Sequence, residues 1–174
     1  RSVYHVRVSG SQSDGNQYYG DEKIGATGKT LATDNLVLDD GKDFVAYELF
    51  AAKAASYSRT VEGTTWATLC LPFEVSLDGQ NFRAFKLLSA DDVTGTVELE
   101  EIETSIEAGT PVIIKMKDGA TQLDFTVANK EIAKDVQTAE TANGNYQLQG
   151  LYTQKMFSKD TDNNCYIVKG DKLM

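Results

Sequence analysis

The feature that most constrains this chain is a side-chain pattern that repeats every two residues. In the segment WATLCLPF (66–73), one face carries only apolar residues, namely Ala67, Leu69, Leu71 and Phe73. The segments PVIIKMK (111–117) and TQLDFTV (121–127) alternate in the same way. A period of two belongs to β-strands, whose successive side chains point to opposite faces. The pattern therefore predicts a chain built mainly of β-strands.

The segment WATLCLPF is largely apolar on its second face as well, where Trp66 and Cys70 lie. Strands that are buried on both faces have this composition, so we expect an interior strand covered on each side, with Trp66 mainly structural. Pro72 has no N–H to donate, and the regular pairing is expected to end there. We expect residues 111–116 to form the neighbouring strand inside the same layered body.

Turn residues separate the apolar segments at short intervals. Asp118-Gly119 lies between two alternating segments and predicts a β-hairpin. Further short strands are predicted within NYQLQGLY (145–152), MFSK (156–159) and CYIVKG (165–170). Many short strands joined by turns indicate an all-β antiparallel β-sandwich, with a β-barrel-like arrangement as the alternative.

Two segments depart from the period of two. ELFAAKAASY (48–57) is helical by propensity, but we expect it to be extended. ANKEIAKDVQTAETAN (128–143) fits either a short helix or a polar loop. We divide the chain into a loop-rich N-terminal segment, residues 1–35, and a β-sandwich-like module, residues 36–174. The first is expected to be a small β layer or the end of an upstream region.

The charge of the chain limits its partners. The 174 residues carry a formal net charge of −9, which repels phosphate backbones, so nucleic acid is not expected as a partner. No run of about 18 apolar residues occurs, and no transmembrane segment is expected. A chain of this length needs no disulfide to fold, and Cys70 and Cys165 fit either one bridge or two separate thiols.

The sequence contains few residues that could form a catalytic site. His5 is the single histidine and has no nucleophile beside it, so hydrolysis through a histidine base and a three-histidine zinc site are not expected. A glycosidase carboxylate pair could come from one acidic cluster, Glu98, Glu100, Glu101, Glu103 and Glu107. Alternation with Val97 and Leu99 instead predicts a solvated strand face with a bulge or turn at Glu100-Glu101. We expect no catalytic residues.

Two weak ligand-site candidates remain. Tyr18 and Tyr19 lie in a polar, Gly-rich segment and could offer flat faces to sugar rings. A calcium loop would use four oxygen-bearing residues, Asp160, Asp162, Asn164 and Asp171. Cys165 stands where such a loop needs Gly, and a plain turn between two strands explains the same residues. No other cofactor is expected.

Several blocks taken together resemble a module of secreted and surface proteins from Bacteroidetes-type gut bacteria. The blocks are LVLDDGKDF (36–44), SYSRT (56–60), WATLCLPF (66–73), IEAGTPVII (106–114) and a final NYQLQGLY…CYIVKGDKL segment. The W-x-T-L-C-L-P-F and A-G-T-P blocks are the most specific. In this module a further strand usually follows the final segment, so the resemblance leaves the completeness of the last sheet open.

The resemblance implies an exported β-rich module at the cell surface or outside the cell, often near the C-terminus of a larger protein. It supplies no catalytic residues. We therefore expect a non-enzymatic module with a binding or adhesion role, whose partners are a glycan or an extracellular protein and other domains of its parent. The alternatives are a carbohydrate-active hydrolase that uses an Asp/Glu pair and a purely structural spacer or terminal cap.

Overall fold

The computed structural model describes residues 17–19, 22–24, 31–39, 42–46, 49–61, 66–141, 144–153, 155–158, 165–169 and 172–173. These residues form strands and no helix, so none of them forms a helix that could cross a membrane. The strands are β1 (Gln17–Tyr19), β2 (Glu22–Ile24), β3 (Leu31–Asp39), β4 (Phe50–Thr60), β5 (Trp66–Leu69), β6 (Val75–Ser76), β7 (Phe82–Asp91), β8 (Thr96–Ile102), β9 (Ser105–Ile106), β10 (Val112–Met116), β11 (Gln122–Ile132), β12 (Thr138–Glu140), β13 (Gln147–Gln149), β14 (Val168–Lys169) and β15 (Lys172–Leu173).

Two larger sheets form the body of the fold. One has four antiparallel strands in the order β5-β10-β7-β8, and the other has three in the order β11-β4-β3. Small two-stranded sheets pair β1 with β2, β6 with β9, β12 with β13 and β14 with β15. None of the sheets closes into a barrel in the described part of the chain. The all-β, sandwich-like prediction is confirmed, with one parallel pair, β3 and β4, as an exception to the antiparallel pattern.

The core lies between the two larger sheets and takes side chains from both. Its largest fully buried members include Phe73, Phe82, Leu36, Ile114, Leu123 and Ile132. Phe82 of β7 contacts Phe125 of β11, with ring centroids 6.4 Å apart, which joins one sheet to the other. Burial of this apolar surface is the main favourable contribution to folding, at roughly 25 cal/mol per Å².

The predicted neighbours β5 and β10 are paired, with Val112 opposite Leu69 and Ile114 opposite Ala67. The prediction that β5 is an interior strand is wrong, because β5 is the edge strand of its sheet. Its core face is buried, but Thr68 on the second face is exposed. The interior strand is β10, which pairs on both sides and has four of its five residues buried.

The predicted hairpin at Asp118-Gly119 is also wrong, although the turn exists. Asp118 and Gly119 have positive φ angles of 49° and 72°, and the Ala120 N–H donates to the Lys117 carbonyl at 2.8 Å. The turn connects β10 of the four-stranded sheet to β11 of the three-stranded sheet. Turn residues determine a local reversal of the chain, whereas the pairing partner of each strand depends on packing across the core.

The Ala-rich segment is extended, as expected, because it forms β4 in the middle of the three-stranded sheet. Its buried residues change parity, from Phe50 and Ala52 to Ala55 and Tyr57. On the adjacent β11, Asn129 has a positive φ of 53° and lies between the paired residues 128 and 130. Because the buried parity of β4 changes within the strand, its sequence shows no continuous period of two.

The segment 128–143, left open between helix and loop, contains no helix in its described residues. Strand β11 continues to Ile132, residues 133–137 form an irregular connection with a bend at 134–135, and β12 follows. In the N-terminal segment, β1 and β2 form a two-stranded ribbon. Strand β3 begins at Leu31 and runs across residue 35, and the division of the chain at that residue stays a prediction.

Candidate functional site

The W-x-T-L-C-L-P-F and A-G-T-P blocks, the most specific parts of the resemblance, meet at one end of the sandwich. We call this contact the Gly109 joint (Cys70, Leu71, Gly109 and Gln137). The Gly109 N–H donates to the Leu71 carbonyl at 2.7 Å, and the Gln137 N–H donates to the Gly109 carbonyl at 2.8 Å. The Cys70 thiol donates to the same carbonyl at 3.4 Å. The blocks therefore hold loops together, which is an architectural role.

Close packing explains the glycine in the A-G-T-P block. Gly109 has a φ of 76°, which L-residues rarely adopt. A Cβ atom at this position would lie 2.7 Å from the Asp135 carbonyl oxygen and 3.1 Å from the Tyr152 hydroxyl. The Tyr152 hydroxyl donates to that same carbonyl at 3.3 Å, so the neighbours of Gly109 are held in place.

Cys70 is a structural residue of the joint. It carries a free thiol, so no disulfide joins it to Cys165. Burial raises the pKa of the Cys70 thiol to about 12. Because the thiolate is the reactive form, a thiol with so high a pKa is a poor nucleophile at neutral pH.

The raised pKa predicts a loss of stability in alkali. The Cys70 thiol has a pKa near 9 in the unfolded chain and about 12 in the folded protein. Its contribution to the free energy of unfolding is therefore fully present below about pH 9 and is lost as the pH rises toward 12. Urea unfolding at pH 8, 10 and 11 should show a steeper decline for the wild type than for Cys70→Ala. Equal slopes would contradict the assignment of Cys70 to this effect.

The second feature is the outward surface of the four-stranded sheet, which we call the outer face (Trp66, Arg83, Phe85, Glu101 and Lys115). These residues alternate along their strands with core residues such as Ala67, Ala84 and Ile114. Pairing places Lys115 between Trp66 and Arg83, and Phe85 opposite Glu101. Residues opposed in this way have Cβ atoms about 4.5–5.5 Å apart, so the five side chains form one surface.

Aromatic and cationic groups are in contact on the outer face. The rings of Trp66 and Phe85 have centroids 5.6 Å apart at an angle of 49°. The Lys115 ammonium lies 5.2 Å from the Trp66 ring centroid, and the Arg83 guanidinium carbon lies 5.1 Å from that of Phe85. Phe85 is only 8% exposed and Trp66 is half-buried, so the rings are firmly held.

An ion pair adds a carboxylate to this surface. Arg83 donates from Nε to Glu101 Oε1 at 2.8 Å and from Nη2 to Glu101 Oε2 at 2.6 Å. This hydrogen bonding, with the nearby charges of Arg83 and Lys117, lowers the pKa of Glu101. The outer face therefore presents the half-buried Trp66 ring, packed on the buried Phe85 ring, beside hydrogen-bonding groups of both charges.

The side chains of the residues predicted as ligand sites are not described in the structure. Tyr18 and Tyr19 belong to β1, and their side chains are not described. The calcium candidates fall outside the described residues (Asp160, Asp162, Asn164 and Asp171). Among the residues that are described, no group of three or more His, Cys, Asp or Glu side chains could hold a metal ion.

The acidic cluster lies at the surface, as predicted, and all five glutamates are exposed. Glu100 pairs with Lys86 at 3.0 Å, and the Ser89 hydroxyl donates to Glu98 at 2.8 Å. The expected irregularity at Glu100-Glu101 is misplaced, since the register shift lies on the partner strand between Leu87 and Ser89. An extra residue on either strand of a pair shifts the register in the same way, so the pattern of one strand could not locate it.

A shallow groove of about 450 Å³ lies on the other sheet. Its lining residues are Val37, Leu38, Asp39, Ser58, Arg59, Thr60 and Gln122. Arg59 donates to the Thr68 carbonyl at 2.7 Å, and Thr60 donates to the Gln122 side chain at 2.9 Å. Since Arg59, Thr60 and Gln122 already have hydrogen-bond partners and no aromatic ring lines the groove, we place the candidate site on the outer face.

Comparisons with known proteins add no relative to this picture. No family model matches the chain, and searches of curated proteins and of solved structures gave no match.

Sequence reasoning missed the outer face because Trp66 was interpreted as mainly structural. The apolar neighbours of Trp66 suggested burial on both sides of β5, but β5 is an edge strand and the indole lies away from the core. The cationic residues of PVIIKMK on the face opposite Val112, Ile114 and Met116 were the available signal.

Proposed function

We propose that this chain is a non-enzymatic binding module, placed outside the cell or at its surface as part of a larger secreted protein. The outer face is its binding surface, and a glycan is the ligand that this surface suits best. The proposed location rests on the resemblance carried by residues 36–173.

The observation that supports a binding role is the composition of the outer face. Trp66 and Phe85 lie side by side on the side of the sheet that faces away from the core, next to Arg83, Lys115 and Glu101. Tryptophan, tyrosine and arginine are the residues that most often dominate binding energy. A rigid ring beside charged hydrogen-bonding groups suits a sugar, which offers an apolar ring face and hydroxyl groups at its edge.

The acidic cluster supports a binding module over a hydrolase. A glycosidase acid needs an apolar environment that raises its pKa. Glu101 is exposed, and its hydrogen bonds from Arg83 lower its pKa. Glu100 is exposed and paired with Lys86. A spacer without a ligand would have no need for an outward tryptophan, and the outer face favours binding over that alternative as well.

Screening of labelled protein on a glycan array tests the proposal. We expect binding to at least one glycan, with affinity falling at least tenfold in Trp66→Ala because the stacking ring is lost. Val37→Ala removes an exposed apolar side chain from the other sheet and should bind as the wild type does. Thermal melts of both variants check that the fold is intact.

Other outcomes would count against the proposal. Release of shorter sugars from a bound glycan would favour the hydrolase. Trp66-dependent binding to extracellular proteins, with no binding to glycans, would support the binding role and contradict the glycan ligand. No binding on the glycan array and none to extracellular proteins would favour the spacer or cap. Equal binding by wild type and Trp66→Ala would show that the ligand does not use the outer face.

A further inference from the structure

The outer face places two positive charges opposite each other. Arg83 and Lys115 are directly paired across β7 and β10, with side chains on the same side of the sheet. Like charges in this position are destabilising by themselves. The arrangement is the more notable in a chain whose formal net charge is −9.

Within the described residues, one of these two cations has a carboxylate partner. Glu101 accepts hydrogen bonds from Arg83 Nε and Nη2. The Arg83 Nη1 group has no hydrogen bond to any described residue. Lys115 has no carboxylate partner among the described residues and lies over the Trp66 ring instead. Lys117, close enough to lower the pKa of Glu101, adds a third cation near one carboxylate.

We infer that the outer face selects an acidic sugar, with its ring on Trp66 and its carboxylate bound by Lys115 and Arg83 Nη1. This inference rests on the proposed function and adds the charge of the ligand. An anion between the two opposed cations relieves their repulsion and gains charge-assisted hydrogen bonds, which are about twice as strong as neutral ones.

A glycan with isolated acidic residues fits the face better than a polyanion. Arg83 and Lys115 are directly paired, so their Cβ atoms lie one cross-strand spacing apart, and their long side chains can both reach a single carboxylate. The rest of the acidic surface repels further negative charges, but at physiological salt this repulsion is screened beyond about 8 Å. A glycan with one acidic sugar among neutral ones is therefore attracted by Arg83 and Lys115 and places no further negative charge against the acidic surface.

Calorimetric titration with matched oligosaccharides tests the inference. The probes are a xylo-oligosaccharide with one glucuronic acid residue, sialyllactose, and the corresponding neutral sugars without the acidic residue. We expect the wild type to bind at least one acidic probe at least tenfold more tightly than its neutral counterpart. That preference should weaken as salt is raised, because the contact is ionic.

Lys115→Gln should remove most of the preference for the acidic probe, because its affinity for the acidic probe should fall much further than its affinity for the neutral one. Its melting temperature should stay within about 3 °C of the wild type, since the substitution is at the surface and relieves a like-charge contact. The matched control is Lys53→Gln, which removes an exposed cation paired with Asp34 on the other sheet and should keep the preference.

Equal affinity for acidic and neutral probes, or a preference that survives in Lys115→Gln, would overturn the inference. If neutral sugars bind in a Trp66-dependent manner, the inference fails while the proposed function stands. An acidic peptide that binds where no acidic sugar does would also overturn it. Failure of the proposed function itself would appear as no Trp66-dependent binding of any probe.

Discussion

Gly109→Ala is expected to lower the free energy of unfolding by about 3 kcal/mol or more. The φ angle of 76° alone costs an L-residue roughly 1–2 kcal/mol. The added methyl group would also lie 2.7 Å from the Asp135 carbonyl oxygen, a backbone atom that cannot move by itself. Moving it would disturb the hydrogen bond that it accepts from Tyr152. Urea unfolding with a two-state fit measures the loss.

Gly79→Ala is the matched control for this variant. Gly79 has a φ of 72°, and a Cβ atom there would have no neighbour within 4 Å. The free energy of unfolding of Gly79→Ala should fall only by the cost of the backbone strain, roughly 1–2 kcal/mol. The difference between the two variants then measures the close packing at the Gly109 joint. Equal losses would show that the joint is not tightly packed.

Leu69→Ala is expected to cost about 2–5 kcal/mol, and Leu71→Ala the same, because each truncation leaves a cavity in the core. Leu69 is 4% exposed and lies opposite Val112 on the interior strand β10. Denaturant unfolding of each variant gives the change directly. A loss below about 0.5 kcal/mol would mean that β5 does not pack on the core.

Thr68→Ala is the control on the same strand. Thr68 is exposed on the opposite face of β5, so its truncation removes no core contact and should change stability by at most about 0.5 kcal/mol. The contrast between adjacent residues tests which face of β5 is buried. A large loss at Thr68 with a small loss at Leu69 would invert the orientation of the strand.

Local patterns account for how much of the fold could be predicted. The alternation in 66–73 and 111–116 correctly indicated strands that pair with each other, because a buried face requires apolar residues at every second position. Asp118-Gly119 correctly indicated a turn, because both residues tolerate positive φ. The same turn gave no information on which sheet the next strand would join.

The parts that failed depend on long-range packing. Thr68 and Trp66 on the second face of β5 could not show whether another layer would cover them. In the structure Thr68 is exposed and Trp66 is half-buried. The burial parity of β4 changes at Lys53 and Ala54, within a row of small residues whose sequence has no clear period. Alanine side chains fit a buried strand and a helix equally well. The extended conformation of this segment therefore depends on its pairing with the neighbouring strands β3 and β11.

The amino-acid sequence by itself determined the β class, the exposed position of the acidic cluster and the turn at Asp118-Gly119, because each follows from side-chain period, charge or backbone freedom within a few residues. The tertiary structure alone decided that β5 is an edge strand, that β10 and β11 lie in different sheets, and that Trp66 meets Lys115 and Phe85 on one outward face. These features depend on strands that are distant in the sequence, and their relative positions are set by packing in the shared core.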